Sequence, residues 1–256
     1  MSTRLIPLPG PFDLRRTMVA LGTPALEGAP VTPTEAWRAT STPEGPATLQ
    51  LRLVSGRVEA EAWGSGADWL LERTPDLIGA DDQPEAFDPP PGVVRDLHRR
   101  SGGLRLGKTG RVFEAVMPTV LAQLVTGVES KRSYRRVVAA YGSPAPGPRE
   151  LKVPPTPDVI AQLDYSELHR FGVERKRASI LIEVARRAKR LEEAVDLPRD
   201  EAYRRLQAVR GVGPWTAAYA MGIAWGDRDA VPVGDYNLPN LVSWALANEP
   251  RGDDQR

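Results

Sequence analysis

Residues 206–217, LQAVRGVGPWTA, constrain the fold of this chain more than any other stretch. Apolar residues at helical spacing on both sides of RGVGP predict two helices joined by a tight turn. Gly211 and Gly213 let the backbone turn sharply and approach a partner without a Cβ in the way. Pro214 suits the first turn of the second helix, where the N–H that it lacks has no helical acceptor. The N–H groups of residues 211–215 then point outward at a positive helix end, which is typical of a phosphate-binding site.

An ordinary corner between two helices, closed by a glycine C-cap, is the alternative interpretation of this stretch. The flanking residues favour the binding hairpin, because they supply an apolar packing face at helical spacing. These residues are Leu206, Val209, Val212, Trp215 and Ala218.

A lone carboxylate, Asp235, follows shortly in the segment VPVGDY at residues 231–236. A pure phosphate binder gains nothing from an acid beside phosphates, so this placement favours an enzyme over a plain binding module. The alternative is that Asp235 caps a helix that begins near Tyr236. Both roles are compatible, because a cap fixes the rotamer of the carboxylate.

Charge is distributed unevenly along the chain, although the net charge is only +1. Residues 1–100 carry 10 basic and 14 acidic side chains, a balance of −4, whereas residues 101–256 carry 24 and 19, a balance of +5. The densest basic clusters lie at residues 131–136 and 175–190. Such clusters are usually solvated helix faces, and they contact phosphates only if they share a face with the glycine turn.

Composition excludes several classes of site. The chain has no cysteine and two histidines, so it offers no disulfide, thiolate zinc site, cysteine-ligated iron–sulfur cluster or multi-histidine metal centre. No apolar run approaches the length of about 20 residues that a membrane span needs. We therefore expect a soluble, cytoplasmic protein without a membrane partner.

The chain divides into two predicted domains and an α+β fold. Residues 1–92 predict an antiparallel sheet with helices, since residues 49–54 and 57–63 alternate apolar and polar side chains around a Ser55–Gly56 turn. Residues 33–39 fit either another strand or a short helix. A proline-rich linker at residues 81–92 precedes a helical body at residues 93–256.

Within the body, apolar spacing predicts one helix over residues 113–128, with Pro118 near its first turn, and another over 175–192. Residues 249–256 look like the start of a helix that the sequence does not complete. This pattern predicts a truncated C-terminus.

The sequence resembles the helix-hairpin-helix DNA glycosylases, which combine a Gly/Pro-rich hairpin with a catalytic aspartate. It is most similar to their 3-methyladenine DNA glycosylase II (AlkA-like) branch. Further matching segments follow in order: PFD at 11–13, GLRL at 103–106, FEAV at 113–116, LAQLVT at 121–126, FGV at 171–173 and KRA at 176–178. The hairpin and aspartate are the specific part of the resemblance.

The resemblance implies the chemistry of the site. Asp235 matches the aspartate that stabilises an oxocarbenium-like sugar during N-glycosidic bond cleavage. Trp215 stands where lyase-type relatives carry a lysine, and tryptophan forms no Schiff base, so hydrolysis without strand cleavage is expected. Trp215, Tyr219 and Tyr236 match positions that line the base pocket, where aromatic faces attract a cationic base. The alternative is that these three are core aromatics.

Gln123 and Leu124 match the wedge that fills the gap left by a flipped nucleotide, although Leu124 also fits a core position of an apolar helix. Ala20 replaces an aromatic of the family's pocket, which implies a more open pocket. The resemblance further implies that double-stranded DNA is the partner, that the protein is a nucleoid-associated monomer, and that no redox cofactor is used. A monovalent cation is expected on the backbone carbonyls of Arg210 and Val212. The residues expected to bind phosphate are Gly211, Val212, Gly213 and Thr216.

The resulting hypothesis is a monofunctional glycosylase that flips out alkylated bases in base excision repair and leaves an abasic site. Two alternatives stay open at this point: a glycosylase for oxidised or deaminated bases, and a non-catalytic protein that binds damaged DNA.

Overall fold

A computed structural model describes residues 2–22 and 29–254 of the chain. Its first part is a four-stranded antiparallel sheet in the order β1-β4-β3-β2. The strands are β1 (Ser2–Pro7), β2 (Glu35–Thr42), β3 (Gly45–Val54) and β4 (Arg57–Gly64), accompanied by helices α1 (Leu14–Ala20) and α2 (Ala67–Leu77).

The predicted β-hairpin is confirmed as β3 and β4, with Val54 opposite Arg57. Ser55 and Gly56 both have positive φ, 48° and 73°, as the tight turn between twisted strands requires. The open choice for residues 33–39 is settled by β2, which pairs along its whole length with β3.

The rest of the described chain is mostly helical. Its helices are α3 (Val93–Arg100), α4 (Val112–Leu121), α5 (Gly127–Tyr141), α6 (Pro157–Gln162), α7 (Tyr165–His169), α8 (Arg175–Arg186), α9 (Ala188–Glu192), α10 (Arg199–Gln207), α11 (Pro214–Ala224) and α12 (Leu238–Ala247). A two-stranded ribbon, β5 (Ser143–Pro144) with β6 (Lys152–Val153), follows α5. None of the described helices is long and apolar enough to cross a membrane.

The single helix predicted over residues 113–128 is wrong, because the chain breaks it into α4 and α5. Thr126 begins α5 with a capping box, in which its hydroxyl accepts from the Glu129 N–H and the Glu129 carboxylate accepts from the Thr126 N–H. Pro118 lies in the second half of α4 and not near its first turn.

Two further helix predictions are corrected. The run 175–192 divides at Arg187 into α8 and α9. Residues 249–254 form no helix, because Asn248 ends α12 in the left-handed conformation, with φ 56°. Residues 255–256 lie outside the described residues.

The described chain has two separate hydrophobic clusters. One contains buried residues between Ile6 and Ile78, and the other contains buried residues between Val112 and Ala224. The predicted linker between them contains a short 3-10 turn, Pro84–Ala86. This separation agrees with two cores, while the domain boundary at residues 92 and 93 stays a prediction.

A buried ion pair joins the sheet to the helical body. Arg38 of β2 donates to Glu114 of α4 at 2.6 Å, and both side chains are almost fully buried. The other Glu114 oxygen accepts from the Thr40 hydroxyl at 2.5 Å and from the Ser41 N–H at 3.0 Å. A paired and hydrogen-bonded charge of this kind fixes how the two layers meet.

Candidate base-excision site

The glycine hairpin, residues 208–213, joins α10 to α11 as the sequence predicts. Gly211 has φ +93°, and a Cβ there would lie 2.5 Å from the buried Ile180 side chain of α8. Glycine is therefore required at this position for both conformation and close packing. Gly213 differs, since its φ is −87° and, its two chain neighbours aside, no atom of the described residues lies within 4 Å of the position that a Cβ would take.

The residues around the hairpin divide into an inner and an outer set. Leu206, Val209, Val212 and Ala218 are buried in the described structure, which confirms the predicted packing face. Pro214 is exposed at the first position of α11, and the first N–H groups of this helix lack helical acceptors. The hairpin therefore leaves a positive helix end open to an anion. Its binding of phosphate stays a prediction.

Asp235 lies beside α11 and is held by four donors. Its Oδ2 accepts from Trp215 Nε1 at 2.8 Å and from the Tyr219 hydroxyl at 3.4 Å. Its Oδ1 accepts from the backbone N–H groups of Asn237 and Leu238, each at 2.9 Å. The cap-like role is thus present, because Oδ1 binds N–H groups at the start of α12. Oδ2 faces the aromatic pair instead.

These donors determine the ionisation of Asp235. Partial burial acts to raise the pKa of the carboxyl group, but the hydrogen bonds from Trp215, the two backbone N–H groups and Tyr219 outweigh it. The pKa of Asp235 is therefore lowered, and the carboxylate is ionised at neutral pH. Burial and the neighbouring Asp235 charge raise the pKa of Tyr219, which stays a neutral hydrogen-bond donor.

The three predicted pocket aromatics do not lie in one cluster. The rings of Trp215 and Tyr219 are 4.8 Å apart at an interplanar angle of 60°, as expected for residues one helical turn apart. Tyr219 is 41% exposed and Tyr236 is 90% exposed, so neither is a core aromatic. Tyr236 lies beside Asp235 in sequence, but its ring is open to solvent.

A cavity of about 270 Å³ extends from Tyr219 between the two parts of the molecule. Ala20 and Leu21, from the sheet domain, form one wall, and Ile223 of α11 lies in another. Ala20 thus lies where the sequence placed it, and its small side chain leaves room in the cavity. The lining is mostly apolar, and Tyr219, its aromatic member, donates to Asp235; an aromatic face of this kind suits a flat, electron-poor ring.

Gln123 and Leu124 occupy a turn that we call the wedge turn, residues 122–126. Leu124 is 93% exposed and has φ +56°, a left-handed conformation that is rare for leucine. The alternative of a core leucine is therefore wrong. The Gln123 side chain does not project outward but donates to the Gly211 carbonyl at 3.0 Å and to the Thr216 hydroxyl at 2.8 Å.

Two predicted binding positions are changed by Gln123. The Thr216 side chain is buried and its hydroxyl accepts from Gln123, while the predicted contact of Thr216 with phosphate stays a prediction. The carbonyl of Gly211 is likewise an acceptor for Gln123, which leaves the carbonyls of Arg210 and Val212 for the predicted cation. Carbonyl oxygens suit a monovalent cation, and that site stays a prediction.

Sequence reasoning missed two supports of the site. Arg177 of α8 is buried in the basic cluster at 175–190 and donates to the Leu121 carbonyl, just before the wedge turn, at 2.8 Å. Asp254 accepts from the Gly234 N–H at 2.8 Å, next to Asp235. Both contacts join residues far apart in sequence, and no local pattern announces them.

Known proteins with similar sequences and folds are DNA glycosylases, although no family model matches the chain. It is 32% identical over 147 residues to DNA-3-methyladenine glycosylase 2 of Escherichia coli K12, covering 57% of this chain and 52% of that protein. The solved 3-methyladenine DNA-glycosylase from Archaeoglobus fulgidus superposes with a TM-score of 0.81 at 22% identity, over 96% of this chain and 87% of that one.

In sequence the chain is similar to the AlkA-like branch of the helix-hairpin-helix glycosylases. A more distant neighbour is the Schizosaccharomyces pombe 3-methyladenine DNA glycosylase in complex with abasic DNA, with a TM-score of 0.53 and 17% identity over 64% of this chain and 80% of that one. The predicted α+β fold class is confirmed by these neighbours. The chain spans about half the length of the curated relatives that it matches.

Proposed function

We propose that the protein is a monofunctional DNA glycosylase that removes alkylated bases. The observation that carries this proposal is the setting of Asp235, an ionised carboxylate held by neutral donors, one of which, Tyr219, lines a cavity of about 270 Å³. The similarity to DNA-3-methyladenine glycosylase 2 of Escherichia coli K12 supports the same substrate class.

The proposed reaction begins when the target nucleotide leaves the stack and its base enters the cavity beside Tyr219. The bond between C1′ and the base nitrogen then breaks, and the base takes the electron pair. Positive charge develops on the sugar, where the Asp235 carboxylate stabilises it. Water adds to C1′ and loses a proton, which leaves an abasic site and the free base.

An alkylated purine carries a positive charge on its ring and is already a good leaving group. The proposed site therefore needs no strong general acid. Aromatic faces attract such a cation, and Trp215 and Tyr219 present these faces next to Asp235.

The absence of strand cleavage is part of the proposal. Trp215, in the place of the lyase lysine, has no amine to attack the sugar, and its indole N–H is directed at Asp235. Double-stranded DNA is the proposed partner, bound through the glycine hairpin by a monomer. The neighbouring basic residues of α8 support this, since Ile180 of that helix packs against Gly211.

The test is to incubate the full chain with duplexes that each carry one alkylated, oxidised or deaminated base. Release of the alkylated base alone, with strand breaks only after alkali, is the expected result. Release confined to an oxidised or deaminated base would transfer the proposal to that substrate class. DNA binding without release of any base would leave a damage-binding protein, and strand breaks without alkali would overturn the role given to Trp215.

A further inference from the structure

The wedge turn and the glycine hairpin meet through one side chain. The Gln123 amide nitrogen lies 3.0 Å from the Gly211 carbonyl oxygen and 2.8 Å from the Thr216 hydroxyl oxygen. One acceptor belongs to the hairpin and the other to the first turn of α11. We call these two hydrogen bonds the amide bridge.

The turn that carries the amide bridge is also held at both of its ends. At one end, Arg177 donates to the Leu121 carbonyl from below. At the other end, the capping box of Thr126 and Glu129 begins α5. Leu124 lies between them, exposed and in the left-handed conformation. A leucine persists in this conformation only when its surroundings impose it.

We infer that Gln123 is a positioning residue that couples the phosphate grip of the glycine hairpin to Leu124, the residue that fills the DNA stack. This inference rests on the proposed function. It differs from the expectation for Gln123 itself, which paired it with Leu124 as part of the inserted wedge. A side chain engaged with Gly211 and Thr216 is directed into the protein and does not fill the DNA gap.

The physical consequence is that phosphate binding and base extrusion share one rigid unit. When the hairpin holds a phosphate, the amide bridge fixes the distance from that phosphate to Leu124. Extruding a base costs stacking and pairing energy, and this cost is smallest for a base that has no partner. A misplaced Leu124 should therefore matter for a paired lesion and hardly for an unpaired one.

The variant that tests this is Gln123→Glu, which keeps the shape of the side chain but replaces its donor with an acceptor. The new oxygen faces the Gly211 carbonyl, so that contact is lost. Thr216→Val is the second variant, because it is also nearly isosteric and removes only the other acceptor. Gln162→Glu, the same chemical change at an exposed position of α6, is the matched control.

Each protein is assayed on one alkylated base placed either opposite its normal partner or opposite an abasic position. For Gln123→Glu we expect a loss of about tenfold on the paired lesion and of less than about threefold on the unpaired one. Thr216→Val should show the same asymmetry more weakly, and Gln162→Glu should match the unchanged protein. Equal losses on both substrates, or no loss, would overturn the inference.

A second readout does not depend on catalysis. The fluorescence of 2-aminopurine rises when the base leaves the stack, so a duplex with this base reports extrusion on binding. We expect a weaker rise with Gln123→Glu when each protein is saturated with DNA, a condition under which a lower affinity caused by the added charge beside the hairpin does not affect the signal. If the unchanged protein released no base from any substrate, the proposed function would fail, while an equal fluorescence rise in both proteins would separately overturn the positioning role.

Discussion

Glu114 and Asp235 are both carboxylates that accept several hydrogen bonds, yet their surroundings differ in one respect. Glu114 lies between the sheet and the helical body, buried against the Arg38 guanidinium. Asp235 contacts Tyr219, which lines a cavity, and the donors described for Asp235 are all neutral: an indole, a phenol and two backbone N–H groups. The charge of Glu114 is neutralised by the protein itself. The charge of Asp235 stays available to a cation that the protein does not supply.

This difference distinguishes a carboxylate that stabilises the fold from one that can take part in a reaction, and it depends only on the partners of each carboxylate. A guanidinium partner secures an interface, but it would cancel the field that stabilises a positive sugar. Neutral donors hold the carboxylate in place and keep it ionised while they leave its net charge uncancelled. Removing the charge of Glu114 should therefore mainly lower stability, whereas removing the charge of Asp235 should mainly lower the rate of base release.

Glu114→Gln should have the largest effect, and it should act on stability. The change removes the partner of a buried guanidinium, for which the cost is about 3–5 kcal/mol. Chemical denaturation should show this loss in the free energy of unfolding. Glu59→Gln, at an exposed ion pair with Arg52, is the control and should cost at most about 1 kcal/mol. Similar losses in the two variants would contradict the structural role given to Glu114.

Asp235→Asn should have the opposite profile. It removes the charge that faces the sugar, so base release should fall by about 10²–10³-fold. Affinity for DNA should be unchanged or higher, because an acid near the phosphates is lost. The assay is single-turnover release of base together with a binding titration. Release at the original rate would contradict the catalytic role given to Asp235 and with it the distinction from Glu114.

Trp215→Phe should change the response of the Asp235 carboxylate to pH. The variant keeps an aromatic ring but loses the N–H that donates to Asp235 Oδ2 at 2.8 Å. This hydrogen bond helps to lower the pKa of Asp235, so the pKa of the carboxyl group should rise in the variant. Because the ionised form is the active one, release is lost as pH falls through the pKa of folded Asp235. The acidic limb of the rate profile should therefore move to higher pH.

The free energy of unfolding should also decrease as pH falls. A carboxyl group with a lowered pKa in the folded state contributes stability above its unfolded pKa, and that contribution is lost as pH falls through the folded pKa. Tyr219→Phe removes a longer hydrogen bond, at 3.4 Å, and serves as the graded control with a smaller shift. An identical acidic limb in all three proteins would show that these donors do not control Asp235.

The sequence was informative where function depends on local spacing. The glycine hairpin, the β3–β4 turn and the position of Asp235 all follow from residues close together in the chain. The break at the wedge turn could also have been predicted, since Thr126 and Glu129 have the spacing of a capping box. The apolar run across it concealed that signal.

The contacts that hold the site together could not be predicted in this way. Gln123 and Thr216 are 93 residues apart, and Arg38 and Glu114 are 76 residues apart. Such pairs depend on how complete helices and strands pack, and side-chain identity alone does not specify a partner. The sequence therefore indicated which residues carry chemistry better than it indicated which residues position them.

Leu124→Gly should have the smallest effect on stability. At this one residue, the variant should separate the free energy of unfolding from the rate of base release. Glycine adopts φ +56° without strain, whereas leucine pays about 1–2 kcal/mol in that conformation. The gain is partly offset, because glycine gives the unfolded chain more freedom. We expect the free energy of unfolding to stay the same or rise by less than about 1 kcal/mol, while release of a paired base falls. Val128→Gly, at an exposed position inside α5, is the control, and it should lose stability without this selective loss of activity. A marked loss of stability in Leu124→Gly would mean that the leucine packs against the protein. The wedge turn would then stabilise the fold, and the proposed contact of Leu124 with the DNA stack would be contradicted.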